Sequence, residues 1–333
     1  MSESIDVGAL LDNNPLLDIN TSFTYYLKAR TRDFKSHMVG GALDYAFDAD
    51  YSMRQKIHSL PGWNKLYKAL VTTDIPAKIK KLFHTTSVAG SLKFPEIYEA
   101  TKKCAERLEM SVPTVYVKNE SDGSQIYSIS IEGYDPCIVI TSDLETICSP
   151  DELQLLIGCE CGRIQNNHCI YNMAAPYLGL KKEEGFIPPD ESQSENISRQ
   201  MEYTLAEWVR LADVTSDRAG IICCDEPEKF PELFASLKTK GVKDYYGRKG
   251  SIINLEKLVK NYETIHITPA RNITIDPTST LSMRRFYAGL EFLNCEILYN
   301  WRSDLNKTEI HTVNKQALEV RCEIIIGAEK EDS

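Results

Sequence analysis

No stretch of this 333-residue chain approaches the ~18 consecutive apolar residues that a membrane span needs, so no membrane span is expected. Positive charge is also in short supply. Lys and Arg number 38 against 48 Asp and Glu, the formal net charge is −10 and the pI is near 5.3. That balance argues against a general affinity for nucleic-acid phosphates or anionic membranes. The start of the chain, Met1 to Asn14, carries Glu3, Asp6 and Asp12 and no basic residue, unlike the cationic opening of an export or transit signal. Internal repeats and heptads are missing, and the ten cysteines do not form a spaced disulfide framework. Cys104, Cys159, Cys161, Cys223 and Cys224 sit in apolar periodic segments, as expected of reduced thiols in a cytoplasmic protein.

What the chain does contain is enough to pack. Hydrophobic residues make up 42% and charged residues 26%, which suits one large domain or two modest ones. Helical spacing is expected at Phe23–Phe34 and at Gly41–Leu60. Pro61-Gly62 breaks it and Trp63–Leu70 resumes it. This N-terminal stretch reads as a helical support layer. Phe94–Met110 reads as a helix with Pro95 in its first turn, and Val112–Lys118 as a strand. Asp122-Gly123 marks a turn. The strand Gln125–Glu132 alternates two usable faces, and Cys137–Ile140 is a short apolar strand. Residues 179–200, with Lys181-Lys182-Glu183-Glu184 and Pro188-Pro189, read as a solvated loop, with a peptide-covering lid as the sharper alternative. Helices are expected from about Ser198 to Cys224, and at Pro231–Thr239, Leu255–Tyr262 and Ser279–Arg302, whereas Ala317–Ile326 patterns like a strand before a charged tail.

The informative helix begins at Ser149-Pro150-Asp151-Glu152, a cap, a first-turn proline and a capping box in sequence. Leu153, Ile157 and Ile164 share one side of it, and so does Glu160. A carboxylate on a core face must be hydrogen-bonded, paired or neutralised. Arg163 is three residues from Glu160 and four from Cys159, within reach of both. On the later helix Asp213, Asp217 and Gly220 share a face.

The segment Leu156-Ile157-Gly158-Cys159-Glu160-Cys161-Gly162-Arg163-Ile164, followed by His168, resembles the active-site helix of gluzincin zinc metallopeptidases, whose core is His-Glu-x-x-His. The closer resemblance is to peptidase family M forty-eight, which includes HtpX and the CAAX prenyl proteases, and to its soluble minimal members. Gly162, Ile164 and His168 match that family's wider pattern. Phe94–Tyr98, Val112–Val117, Ile138–Ile140, Glu207–Arg210, Asp213–Gly220 and Asp276-Pro277 resemble its other blocks in the right order, over roughly residues 85–305. The resemblance implies an α+β, zincin-like fold: a helical region at 1–85, a metallopeptidase-like domain at 86–305, and a C-terminal strand and tail at 306–333.

Function turns on the departures. Carried over position by position, the family's two histidine ligands fall on Cys159 and Arg163, its glutamate ligand on Asp213, and its base on Glu160, which is retained. Catalytic zinc needs three protein ligands and an open position. A guanidinium has only donors and stays cationic, so Arg163 cannot be one of them. Zinc lowers bound-water pKa from about 15.7 to about 7, and a lone Glu160 cannot do that. The expectation is therefore no metal, with Arg163 in the metal's place surrounded by Glu160, Asp213 and Asp217 as an ion-pair clamp between helices. The functional expectation is a catalytically inactive, cytoplasmic homologue that binds a protein or peptide along a cleft strand at Gln125, Ile126 and Tyr127. Two alternatives stand beside it. One is an active zinc peptidase with an atypical set such as Cys159, Asp213 and a water or His168. The other is a scaffold working through the N-terminal helical region.

Overall fold

Alternation along three short strands sets the architecture. In the computed structural model, which describes residues 37–119, 123–174, 199–243, 254–305 and 312–328, β-strands and helices are numbered here in order among those residues. The expected helix at Phe23–Phe34, Asp122 of the expected turn, nearly all of 179–200 and the charged tail lie outside them. A two-residue hairpin, β1 (Met38–Val39) and β2 (Ala42–Leu43), opens the described chain. The main sheet contains β3 (Ser87–Val88), β4 (Thr114–Lys118), β5 (Ile126–Ile129) and β6 (Cys137–Thr141), in the order β3-β4-β6-β5. Only the β4–β6 pair is parallel; β3–β4 and β5–β6 are antiparallel.

Successive side chains of a strand point to opposite faces, and both faces of this sheet are covered. Val115, Val117, Ile126, Ile138 and Ile140 join the larger core. Tyr116, Ile129, Cys137 and Val139 join the second core, with Ile57, Trp63, Leu66, Ile75, Ile79 and Leu82. Those last residues belong to α1 (Asp48–Ser59), α2 (Trp63–Ala69) and α3 (Ile75–Thr85), a helical layer on one face of the sheet. On the other face lie α4 (Pro95–Arg107) and α6 (Pro150–Gln165), reached through the short α5 (Leu144–Ile147). Then come α7 (Cys169–Ala174), α8 (Arg199–Cys223), α9 (Phe230–Lys240), α10 (Leu255–Ile267), α11 (Leu281–Leu293), α12 (Glu296–Trp301) and α13 (Lys315–Ile326). The result is α+β and mostly helical.

Three expectations are corrected. Residues 41–47 are hairpin and turn, and the helix begins only at Asp48. The long helix expected over Ser279–Arg302 is two helices broken at Asn294-Cys295, where Cys295 bridges to Val313. The strand expected at Ala317–Ile326 is the helix α13, capped by the Asn314 side chain on the amide of Ala317 and ended by Gly327 at φ +76°. Leu318, Cys322 and Ile325 bury one helical stripe, and the Glu319 carboxylate on that helix takes a 2.6 Å ion pair from the buried Arg218.

The helix α6 forms as its sequence demands. Ser149 accepts from the Glu152 amide while the Glu152 carboxylate accepts from the Ser149 amide at 2.6 Å, and Pro150 occupies the first turn. It packs on α8 with very little between the backbones. A methyl group on Gly158 would stand 2.6 Å from Cys223 Cβ, one on Gly220 2.6 Å from Cys159 Sγ, and one on Gly162 would collide with Ala219. Gly162→Ala is therefore expected to cost ~1–3 kcal/mol through overpacking, read as a lower midpoint in urea unfolding. An unchanged midpoint would show that the two helices can separate freely.

Candidate functional site

The close approach of α6 and α8 brings their charged side chains together between the helices. Arg163 points from α6 toward α8, its Nη2 donating to Asp213 Oδ1 at 2.8 Å. Its Nε lies 3.4 Å from Glu160 Oε1, one turn back on the same helix. Glu160 is buried, and its Oε2 accepts from Ser128 Oγ at 2.8 Å. Ser128 lies on β5 two residues from Ile126 and so shares its face, turned toward α6. The strand and the helix are thus joined through the carboxylate.

A second guanidinium, absent from the sequence expectation, completes the cluster. Arg285, on α11, donates to Asp217 through Nε at 2.8 Å and Nη2 at 2.7 Å, and to Asp213 Oδ2 through Nη1 at 3.1 Å. Asp213 is therefore clamped between two guanidiniums, one on each oxygen. Asp217, expected around Arg163, is held by Arg285. Burial would lower the Arg285 pKa, but Asp213 and Asp217 overcome that and hold it above its ordinary value. Nothing local betrayed this arginine: it follows Arg284 in a helix with no periodic charge pattern. Cys159 sits beside the cluster against Gly220. Burial raises its thiol well above the ordinary range and Asp217 adds to the rise, while Arg163 and Arg285 oppose it.

His168 belongs to a different cluster. It is fully buried, and Nε2 lies 2.9 Å from Asp50 Oδ2. Asp50 comes from α1 of the N-terminal layer, which the sequence reading treated as mere support. Its carboxylate also accepts from Thr215 Oγ1 at 2.6 Å, Trp208 Nε1 at 2.7 Å and Arg54 Nε at 3.2 Å. Arg54 reaches on to the carbonyl of Asn166. Burial would raise the Asp50 pKa, but His168, Arg54 and the donated hydrogen bonds hold it far below the usual range. Burial lowers His168, with Asp50 opposing. With His168 neutral, Arg54 supplies the counter-charge.

The strand expected to line a cleft is an end strand of the sheet, yet part of its outer edge is taken. Lys243 forms a parallel bridge with Gln125, its carbonyl accepts from the Ile126 amide at 3.3 Å, and its amide donates to Ser124 at 2.8 Å. Tyr127 is half-buried and lies beyond that bridge. The Gln125 side chain accepts from Lys118 Nζ at 3.1 Å.

Comparison with curated proteins identifies a relative, "Plastoglobule-localized metallopeptidase 48, chloroplastic" of Arabidopsis thaliana. It is 26% identical over 195 residues, which cover 58% of this chain and 55% of that protein. Over those residues the chain is similar to a metallopeptidase, in keeping with the resemblance read from its motifs. It spans about half the length of the relative it matches. No protein-family model matches the chain, and no solved structure matches it. Among the described residues no helix is long and apolar enough to cross a membrane.

The similarity to a metallopeptidase raises the question of zinc, and the donors can be tested directly. The resemblance puts two of three ligand positions on Arg163 and Asp213. The first is a fixed cation, and the second has both oxygens engaged by guanidiniums. Zinc requires lone pairs at about 2.0–2.3 Å, which a guanidinium lacks. His168 is turned to Asp50 and not to this set. The donor set of this cluster does not fit catalytic zinc.

Proposed function

We propose that this chain is a non-hydrolytic member of its family, a zincin-like protein that binds a protein or peptide partner and regulates through that contact. One observation carries the reading: two guanidiniums and three carboxylates, Arg163 and Arg285 with Glu160, Asp213 and Asp217, occupy the space where the resemblance puts the metal. The ion pairs take over the mechanical role of a metal by joining α6, α8 and α11. Glu160 sits at the family's base position, but its carboxylate is engaged by Ser128 and Arg163. A carboxylate so held, with no metal-bound water to deprotonate, has no hydrolytic work to do. The partner is an extended peptide added to the outer edge of β5 beyond Lys243, where Tyr127 and Ser128 lie. Ten unpaired cysteines support a reducing, cytoplasmic setting for this chain. The plastoglobule location belongs to the relative's name.

Purified protein is expected to contain no stoichiometric zinc after dialysis and to cleave neither casein nor a peptide library, with or without added zinc. One equivalent of zinc together with chelator-sensitive cleavage would overturn the reading. Cys159→His, Arg163→His and Asp213→Glu combined is the companion variant. It is expected to gain zinc affinity, because it removes one guanidinium and restores three donors.

A further inference from the structure

The net charge of −10 conceals a segregation along the chain. Between Tyr51 and Pro95 stand eight Lys and Arg residues and a single carboxylate, Asp74. This stretch runs from within α1 through α3 into β3; Asp48 and Asp50 precede it, and of its eight cations Arg54 is buried against Asp50. Its apolar stripe (Trp63, Leu66 and Leu70, then Ile75, Ile79 and Leu82) joins the sheet's second core, and Lys78 turns inward to the Met173 sulfur, but other lysines point outward. Lys65 and Lys68 on α2, and Lys80 and Lys81 on α3, are exposed. None of these four has an ion-pair partner among the described residues.

Large apolar groups are exposed on the same stretch of chain. Phe83, one turn after Lys80, is 63% exposed and meets Tyr116 edge-on, with ring centres 5.7 Å apart. Val88, paired with Tyr116 across β3 and β4, is 54% exposed. Leu92, in the turn after β3, is 89% exposed. Unpaired lysines flanking protruding aliphatic and aromatic tips are the pattern of an interfacial surface: ammonium groups at headgroup level, apolar tips below them. Val88 and Leu92 would contribute nothing to a nucleic-acid contact, which uses stacking rings and hydrogen-bond donors.

We infer that the outer face of the α2–α3 layer, with β3 and its following turn, docks on an anionic lipid surface. The rest of the chain is strongly acidic and repelled by such a surface, so the field orients the protein with this face down. The lysine contribution weakens as salt screens it. The face lies across the sheet from the Arg163 cluster, so docking leaves the cleft strand's partner free to bind.

Flotation of the full chain with vesicles tests this. Binding is expected to phosphatidylcholine vesicles containing phosphatidylglycerol, and not to phosphatidylcholine alone. Each lysine near an anionic surface contributes a factor of about five in affinity, so Lys80→Glu with Lys81→Glu is expected to weaken binding about 25-fold or more. Phe83→Ser with Leu92→Ser is expected to abolish the binding that survives high salt. All four positions are solvent-exposed, so the variants are expected to stay folded, which far-ultraviolet circular dichroism checks. Three results would overturn the inference: no binding to anionic vesicles, equal binding to neutral ones, or a charge-reversed variant that binds like the parent. Retention on an oligonucleotide resin without vesicle binding would overturn it too and assign the face to nucleic acid.

Discussion

Arg163→Ala is expected to lower the unfolding free energy by about 3 kcal/mol, the low end of the ~3–5 kcal/mol typical when one member of a buried pair is removed. The low end is argued from what remains. Asp213 keeps Arg285 at 3.1 Å, and Glu160 keeps the Ser128 hydroxyl at 2.8 Å. At ~2–4 °C per kcal/mol the melting temperature should fall by roughly 6–12 °C. A double-mutant cycle with Glu160→Gln assigns the loss. If Arg163 mainly neutralises Glu160 and Asp213, adding Glu160→Gln should cost less in the Arg163→Ala background than alone, because the stranded charge is gone. An unchanged melting temperature for Arg163→Ala would end the idea that this guanidinium holds the helices together.

The same cluster shows how far the sequence could be read. Glu160 was recognisable as a carboxylate on a buried stripe with Arg163 one turn away, because helical spacing is local. That Asp213 would meet Arg163 needed the pairing of two helices, which came from the order of family-like blocks. Arg285 needed a third helix whose placement no spacing in the sequence specifies, and it was missed. Its consequence is physical: with one arginine the three acids would be under-neutralised, and with two, each oxygen of Asp213 is matched. The strand reading of α13 failed differently. Leu318, Val320, Cys322, Ile324 and Ile326 alternate, but Leu318, Cys322 and Ile325 also fit a helix, and both periods were present. Asn314 and Gly327, a cap and a stop at the right ends, were the tie-breakers. Asp50 was passed over, although its signal was local. It shares a helical stripe with Arg54 and Ile57, at spacings of four and then three, and a carboxylate there had to find donors. What could not be read was that those donors would come from Trp208, Thr215 and His168, more than a hundred residues away.

That hub leads to the other large effect. Asp50→Asn is expected to cost about 3–5 kcal/mol at pH 7, more than its isosteric shape suggests. The carboxylate takes four donors on two oxygens: Arg54 and Trp208 on Oδ1, His168 and Thr215 on Oδ2. An amide turns one of those acceptors into a donor facing two others, and it leaves Arg54 buried without its counter-charge. The pH dependence has a definite sign. His168 has a lowered pKa in the fold, so as pH falls through about 6.5 the unfolded chain takes up a proton that the folded chain refuses, and stability drops. Asp50 is likewise depressed. Its contribution is complete above about 3.9, the ordinary aspartate value, and is lost as pH falls below that toward its folded value. Urea unfolding between pH 7 and pH 3 should therefore show the parent weakening in two stages. Asp50→Asn should begin lower, keep the upper stage and lose this residue's share of the lower one. A variant as stable as the parent at pH 7 would mean that the α1 layer is not anchored through this carboxylate. The N-terminal helices would then be held by apolar contact and by the remaining polar contacts, such as Arg54 to the Asn166 carbonyl and His58 to the Tyr171 hydroxyl.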